Sequence, residues 1–266
     1  MIFDEEAEAK KILLDKNVEF FSDKKMIILA KYFEHLGMAK KEIREELIKY
    51  CNGQNRIKYD DGDEKTISDA IDNLKKYKIR LPATCVITQR ELNEIGTIGN
   101  EKTERIFFVM ICLAKYMAKT NTARKQKIYS DNKLIFWEST AELFKLSRYS
   151  NNFFDRNLII GDIEDLGYIK TVPNEDRTKN HININTFYED SEPVIFFDNP
   201  EYVYKLYKAY KDKKIIQCEI CGNSTVKNSN RQLMCEKCLK DSRSEINHRY
   251  YESKKLRPLE NDIKAL

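Results

Sequence analysis

Glycine and proline are scarce in this chain, with 8 and 5 residues among 266. Their scarcity disfavours long flexible linkers and folds made mainly of coil, because turns and loops depend on these two residues. Apolar residues nowhere run for the roughly 20 positions that a membrane-spanning helix needs. The stretch from Met1 to Glu6 is acidic and lacks the basic start and apolar segment of a secretory signal. These absences predict a cytoplasmic protein that does not bind a membrane.

Motifs of the common enzyme classes are also lacking. The sequence shows no glycine-rich phosphate loop, no pair of nucleophile and base, and no paired-carboxylate polymerase motif. The three histidines are scattered, and none has a partner at the spacing of a metal ligand or a catalytic base. We therefore predict that the protein is not an enzyme, and an enzyme stays as the third alternative.

Apolar residues at helical spacing dominate the first part of the chain. Each predicted helix carries one apolar stripe, which indicates a small helical domain over 1–82 that ends at Pro82. The predicted helices are Asp4 to Leu14, Ser22 to Gly37, 39–51 and 66–78, with a polar loop over 52–63.

The segment from Thr103 to Ile184 predicts a winged helix-turn-helix. Gly167 stands where its third helix must end, because glycine adopts positive φ at little cost. Ile159, Ile163 and Leu166 share one face of that helix and are expected to face the core. The predicted elements are a helix over Arg105 to Ala118, a helix from Ser139, the turn Ser147 to Ser150, a helix over Asn151 to Leu166, a strand over Ile169 to Val172, a polar tip over Pro173 to Asn180, and a strand over His181 to Asn185.

Polar residues at the turn, the third helix and the polar tip suit contacts with double-stranded DNA. Asparagine and arginine can pair bidentately with adenine and guanine in the major groove, whereas turn and wing residues suit phosphates. The third helix is also rich in carboxylates, so a winged helix used for protein contact stays the alternative. The candidate DNA contacts are Arg148, Tyr149, Ser150, Asn152, Arg156, Arg177 and Lys179.

Four of the seven cysteines form two Cys-x2-Cys pairs, Cys218 with Cys221 and Cys235 with Cys238, with 13 residues between the pairs. Four thiolates complete a tetrahedral shell and suit Zn²⁺. A hairpin predicted over Val226 to Leu233 indicates a structural zinc ribbon. The alternatives are an iron–sulfur cluster and a redox dithiol, although a dithiol needs a single pair beside a βαβ unit, which is lacking. The other cysteines are predicted to be plain buried thiols: Cys51, Cys85 and Cys112.

Positive charge is concentrated around these cysteines. Residues 205–257 carry 14 Lys and Arg against 6 Asp and Glu, whereas the whole chain has a net charge of +4. A nucleic-acid surface needs such local charge, and the alternative is a solvated basic face without a partner. A helix that starts after Pro200 is predicted to pack its apolar stripe on the core. The candidate phosphate contacts near the cysteines are Lys227, Arg231 and Lys237.

These elements predict a mainly α (α+β) protein with a helical domain over 1–82, a winged helix-turn-helix over 83–190, and a linker helix, zinc ribbon and basic C-terminal helix over 191–266. This order, with Cys218-x2-Cys221-Gly222 and Cys235-x2-Cys238, resembles a group of uncharacterised proteins from phages and mobile elements of low-GC Gram-positive bacteria. The resemblance implies a phage-encoded nucleic-acid or regulatory factor. Our leading hypothesis is a DNA-binding regulatory protein that controls transcription or replication. The alternative is a protein-interaction factor that binds a host machine such as RNA polymerase or a defence complex. The oligomeric state stays open.

Overall fold

The computed structural model of the chain describes residues 4–15, 22–53, 61–74, 78–79, 81–120, 134–136, 139–149, 153–172, 181–185, 188 and 191–247. Within these ranges the chain is mainly α with small antiparallel sheets, as predicted. None of the helices in these ranges combines the length and the apolar character that crossing a membrane requires. Four candidate DNA contacts lie outside the described residues: Ser150, Asn152, Arg177 and Lys179.

The N-terminal helices share a core of their own. Each contributes one buried apolar stripe, and a buried ion pair between Lys31 and Glu5, 3.1 Å apart, joins the first two helices. The fourth helix begins at Asp61, ahead of its predicted start at 66, because acidic residues favour a first helical turn. The helices are α1 (Glu5–Leu14), α2 (Asp23–His35), α3 (Lys40–Gly53) and α4 (Asp61–Asn73).

A second, larger core is built around α6 (Glu101–Thr120). Every residue from Ile106 to Ala114 is fully buried, so the helix is enclosed on all sides, as an all-round apolar helix must be. It extends beyond the predicted Arg105 to Ala118 at both ends. Its neighbours include β1 (Cys85–Thr88), α5 (Gln89–Gly96) and β2 (Leu134–Phe136).

A buried carboxylate ties α5 to α6. Glu91 completes a capping box with Thr88 at the start of α5. Its carboxylate also lies 2.7 Å from the Lys115 ammonium of α6, and Lys115 donates to the Val86 carbonyl at 2.8 Å. Both side chains are almost completely enclosed, so the pair fixes how α5 docks on α6.

The two helices of the predicted helix-turn-helix follow in the predicted order. α7 (Thr140–Leu146) begins after the N-cap Ser139, and α8 (Phe153–Asp165) precedes Gly167 at φ 80°. Ile163 is buried, but Leu166 is 52% exposed. The prediction for Leu166 is wrong because α8 ends at Asp165 and Leu166 already belongs to the turn at Gly167.

A three-stranded antiparallel sheet in the order β2-β4-β3 accompanies these helices. β3 (Ile169–Val172) and β4 (His181–Ile184) occupy the predicted positions. β2 pairs Leu134 with Ile184 and Phe136 with Ile182. No sequence pattern predicts β2, because three apolar residues are too few to show an alternation.

The second core continues past the predicted boundary at 190. β5 (Pro193–Phe197) pairs with β1, and a short 3₁₀ turn (Pro200–Tyr202) leads into α9 (Val203–Lys211). Val203, Leu206 and Tyr207 of α9 are buried in this core, as predicted for that stripe. The division into three domains stays a prediction.

Candidate metal centre and nucleic-acid contacts

The first cysteine pair lies at the tip of a short hairpin. β6 (Ile215–Gln217) pairs with β7 (Ser224–Val226), and Cys218 and Cys221 stand between the two strands. The Gly222 amide donates to the Cys218 carbonyl at 2.9 Å, and the Cys218 amide donates to the Asn223 carbonyl at 2.9 Å. Gly222 has φ 73°, a conformation that only glycine adopts at little cost. The predicted hairpin over Val226 to Leu233 is wrong, because β7 ends at Val226 and pairs with β6, and residues 227–247 contain no strand that could pair with it.

The second pair lies at the start of a helix over residues 236–247, here called α10. The Cys238 amide points at the Cys235 sulfur, 3.4 Å away, and the Leu239 amide donates to the Cys235 carbonyl at 3.0 Å. A hydrogen bond from the Glu219 amide to the Leu233 carbonyl, 3.0 Å long, brings this stretch back to the hairpin tip. We call residues 214–247 the cysteine module.

The four sulfur atoms are close enough to share one ion. All four lie within 4.8 Å of one another, and the Cys221 and Cys235 sulfurs are 3.8 Å apart. Four sulfurs placed tetrahedrally at about 2.3 Å from a metal would be about 3.8 Å apart. The arrangement is thus compatible with a metal site formed by Cys218, Cys221, Cys235 and Cys238.

The thiols of the site differ in how readily they ionise. Burial opposes ionisation of Cys218, but hydrogen bonds from the backbone of Cys221 and Cys235 outweigh it and lower the pKa of Cys218 to about 6. The hydrogen bond with Cys235, together with burial, raises the pKa of Cys238. Burial also raises the pKa of Cys221. A metal ion would have to displace the protons of Cys221 and Cys238 on binding, because only the thiolate is a ligand.

The remaining cysteines are buried thiols, as predicted. Cys51 lies in the N-terminal core, and Cys85 and Cys112 lie in the second core. Burial raises the pKa of Cys85 to about 11 and that of Cys112 well above its ordinary value. These three side chains therefore act as small apolar residues.

The cysteine module is attached to the second core through the backbone. The Lys214 amide, at the start of the module, donates to the Ala209 carbonyl of α9 at 2.7 Å. The Phe196 amide of β5 donates to the Ser224 hydroxyl of β7 at 2.9 Å. These bonds give the metal site a defined position next to α9.

The candidate DNA contacts within the described residues fall into two groups. Arg148 and Arg156 both lie close to aromatic rings, and Tyr149 is half-buried against Phe144, with ring centroids 5.9 Å apart. The Arg156 guanidinium carbon is 5.6 Å from the centre of that same Phe144 ring. The second group lies on the cysteine module and consists of Lys227, which is half-buried, and the exposed Arg231 and Lys237.

Sequence reasoning overlooked further cations and rings beside the turn. The Arg148 guanidinium lies near the ring of Tyr204 in α9. The Lys205 ammonium, also in α9, lies near the rings of both Tyr204 and Tyr202, and Tyr202 precedes the helix. The signal was present, because α9 contains three lysines and no carboxylate. Its apolar stripe implies an opposite face that carries Tyr204, Lys205 and Lys208. Lys102 could not be found in this way, since only the tertiary structure brings it near Tyr149.

Comparisons of this chain with protein-family models, with curated proteins and with solved structures found no match.

Proposed function

We propose that the protein is a DNA-binding regulatory factor of a phage or mobile element, composed of a winged helix-turn-helix and a zinc ribbon with four cysteine ligands. The observation that carries the proposal is the sequence of α7, a tight turn at Arg148, α8 and the β3–β4 hairpin. Helix-turn-helix proteins use this order to present their second helix to a major groove. The phage or mobile-element source rests on the resemblance in motif order.

In this proposal α8 contributes the base contacts. Asn152 and Arg156 would meet base edges, while Arg148, Tyr149 and the wing residues would hold phosphates. The Arg156 guanidinium carbon lies 5.6 Å from the centre of the Phe144 ring, so a base contact would have to keep or replace this cation–ring contact.

We assign Zn²⁺ to the four cysteines and a structural role to the ion. Four thiolates fill a tetrahedral shell and leave no open position for a substrate. The ion would hold the hairpin tip against the start of α10, and Lys227, Arg231 and Lys237 would add phosphate contacts. Optical absorption distinguishes this site from an iron–sulfur cluster, because Zn²⁺ is colourless and the cluster absorbs visible light.

Binding to selected and random duplexes tests the DNA-binding proposal. Asn152→Ala and Arg156→Ala should cost about 1–3 kcal/mol on a selected site and reduce sequence preference. Arg231→Ala and Lys237→Ala should each weaken binding to every duplex by the same factor. Each should also lower the slope of log K against log salt concentration by about one. If all four variants bind each duplex as the wild type does, these residues are not the DNA site.

The exposed face of α8 favours a second candidate function, which is binding to a host protein. Phe154 and Leu158 are one helical turn apart and are 68% and 52% exposed. Asp155 and Asp162 stand beside them on the same helix. Apolar residues with acidic neighbours suit a protein interface better than a phosphate backbone.

Capture of partners from host lysate, with and without nuclease, separates the two functions. A host-protein interface should survive nuclease and high salt, and Phe154→Ser with Leu158→Ser should abolish it. DNA binding should weaken steeply between about 50 and 200 mM salt. Retention of protein partners by the double variant would remove the support for this second candidate.

A further inference from the structure

Aromatic rings and cations alternate across a surface next to the helix-turn-helix. The Lys102 ammonium lies 5.9 Å from the centre of the Tyr149 ring, and the Arg148 guanidinium carbon lies 5.7 Å from that of Tyr204. The Lys205 ammonium lies 5.8 Å from the Tyr204 ring centre and 5.9 Å from that of Tyr202. We call these residues the tyrosine–cation surface: Lys102, Arg148, Tyr149, Tyr202, Tyr204 and Lys205.

The rings of this surface are positioned by the fold. Tyr149 and Tyr204 are half-buried and pack against the second core. Tyr202 is 57% exposed at the last residue of the 3₁₀ turn that precedes α9. Rings whose positions are already set lose little conformational freedom when a base stacks on them.

The charge of α9 is opposite to that of α8. α9 carries Lys205, Lys208 and Lys211 without any carboxylate, and of these Lys211 is paired with Glu104 of α6 at 3.0 Å, whereas α8 carries four carboxylates and one arginine. Exposed carboxylates next to the surface include Glu101 beside Lys102, Glu201 before α9, and Glu236, which is paired with Lys240 at 2.7 Å. A polyanion is therefore attracted to α9 more strongly than to α8.

Arg148 occupies a backbone position that favours glycine. Its φ is 52°, and hydrogen bonds from the Tyr149 amide to the Phe144 carbonyl and from the Arg148 amide to the Lys145 carbonyl enclose it. This is the helix-ending arrangement in which glycine is usual, and a larger residue there stores strain. A cation at a helix C-terminus has some structural benefit, so the arginine needs a test that separates stability from binding.

We propose that the tyrosine–cation surface binds a single strand of nucleic acid, with bases stacked on Tyr204 and Tyr202 and phosphates held by Arg148 and Lys205. The inference rests on the proposed nucleic-acid-binding function. It specifies that the ligand is single-stranded and that the strand runs over the tyrosine–cation surface. A single strand fits better than a duplex, because the faces of its bases are free to stack on tyrosine rings. The base faces of a duplex are already stacked on one another, so a duplex would contact only the cations of this surface, through its phosphates.

Fluorescence anisotropy with a labelled oligothymidine of about 20 nucleotides, and with a random duplex of the same length, tests this proposal. Tyr204→Leu removes the ring but keeps an apolar side chain against the core, and it should weaken oligothymidine binding roughly 5- to 150-fold, with little effect on the duplex. Arg148→Gln with Lys205→Gln should lower the salt slope by about 1.4 for oligothymidine and by about 1.8 for the duplex. Lys40→Gln with Lys41→Gln removes the same charge from exposed positions on α3 and is the matched control.

Arg148→Gly separates a binding role from a structural one. It should raise Tm by about 2 °C or more, because it relieves the strain at positive φ, and it should weaken oligothymidine binding. If Tm falls and oligothymidine binding is unchanged, Arg148 serves only the helix end, and the proposed strand path is overturned.

The outcomes distinguish this inference from the proposed function. If the wild type binds duplex but Tyr204→Leu and the double glutamine variant match the control on both probes, the inference is overturned and the duplex proposal stands. If the wild type binds oligothymidine through this surface and no duplex at all, the inference stands and the duplex proposal is overturned. If the wild type binds neither probe, both are overturned.

Discussion

The core around α6 and the cysteine module are ordered by different physical means. Along α6 every residue from Ile106 to Ala114 is fully buried. In the cysteine module only Cys218 and Cys238 are buried. Burial of apolar surface can stabilise the first region by itself, but the second region encloses little besides its own sulfur atoms. We therefore expect the module to depend on a bound ion for its structure, as small metal-binding folds do.

Removal of the metal should give the largest difference between the two regions. We expect a strong chelator to unfold residues 214–247 and to leave α6 protected, because the apparent binding free energy of about 10–16 kcal/mol at structural zinc sites is also folding free energy. Hydrogen exchange measured by mass spectrometry, with elemental analysis of the metal content, checks this. Cys235→Ser should have the same effect. A module that stays protected in metal-free protein would show that the two regions do not differ in this way.

A cavity in the α6 core should cost far more than the same kind of truncation in the module. Phe108 is fully buried with its ring 5.1 Å from that of Tyr207, so Phe108→Ala should lower the free energy of unfolding by about 3–5 kcal/mol. Leu233→Ala is the control in the module, since Leu233 is 55% exposed and should cost less than about 0.5 kcal/mol. Urea unfolding followed by circular dichroism measures both. Equal costs would contradict the proposed difference.

The buried ion pair tests how the α6 core is held together. Lys115→Met should cost about 3–5 kcal/mol, because it leaves Glu91 buried without its cation. Lys115→Met combined with Glu91→Gln should cost less than Lys115→Met alone, since no buried charge remains. The same unfolding measurement compares the two variants. A larger loss in the double variant would show that the hydrogen bonds of Glu91 matter more than its charge.

Two glycines should give the smallest effects, and these should have opposite signs. Gly222→Ala should destabilise the module by about 1–2 kcal/mol, because alanine is strained at φ 73°. Gly161→Ala in α8 should stabilise by about 0.5–1 kcal/mol, since no atom within 4 Å would meet the added methyl group. The melting temperatures of the two holo variants measure this difference. A loss of stability in both would mean that the gap beside Gly161 is needed.

The sequence was sufficient to predict those features that depend on contacts between residues close together in the chain. Ser139 caps α7, Gly167 follows α8 at φ 80°, and the Cys-x2-Cys spacing brings each pair of sulfurs together. The same holds for the helical character of the chain and for the apolar stripe of α9. These features depend on contacts a few residues apart, which a linear pattern records.

The order of residues alone was enough to predict that the chain is mainly helical, that three cysteines are buried thiols and that the four others lie close together. The packed structure was needed to show that the cysteine knuckle forms the hairpin turn, that β2 joins β4, and that Leu166 is exposed. It was also needed to bring Lys102, Tyr149 and Tyr204 into one surface. Strand pairing and cation–ring contacts depend on how distant helices pack, and that packing is a property of the whole core.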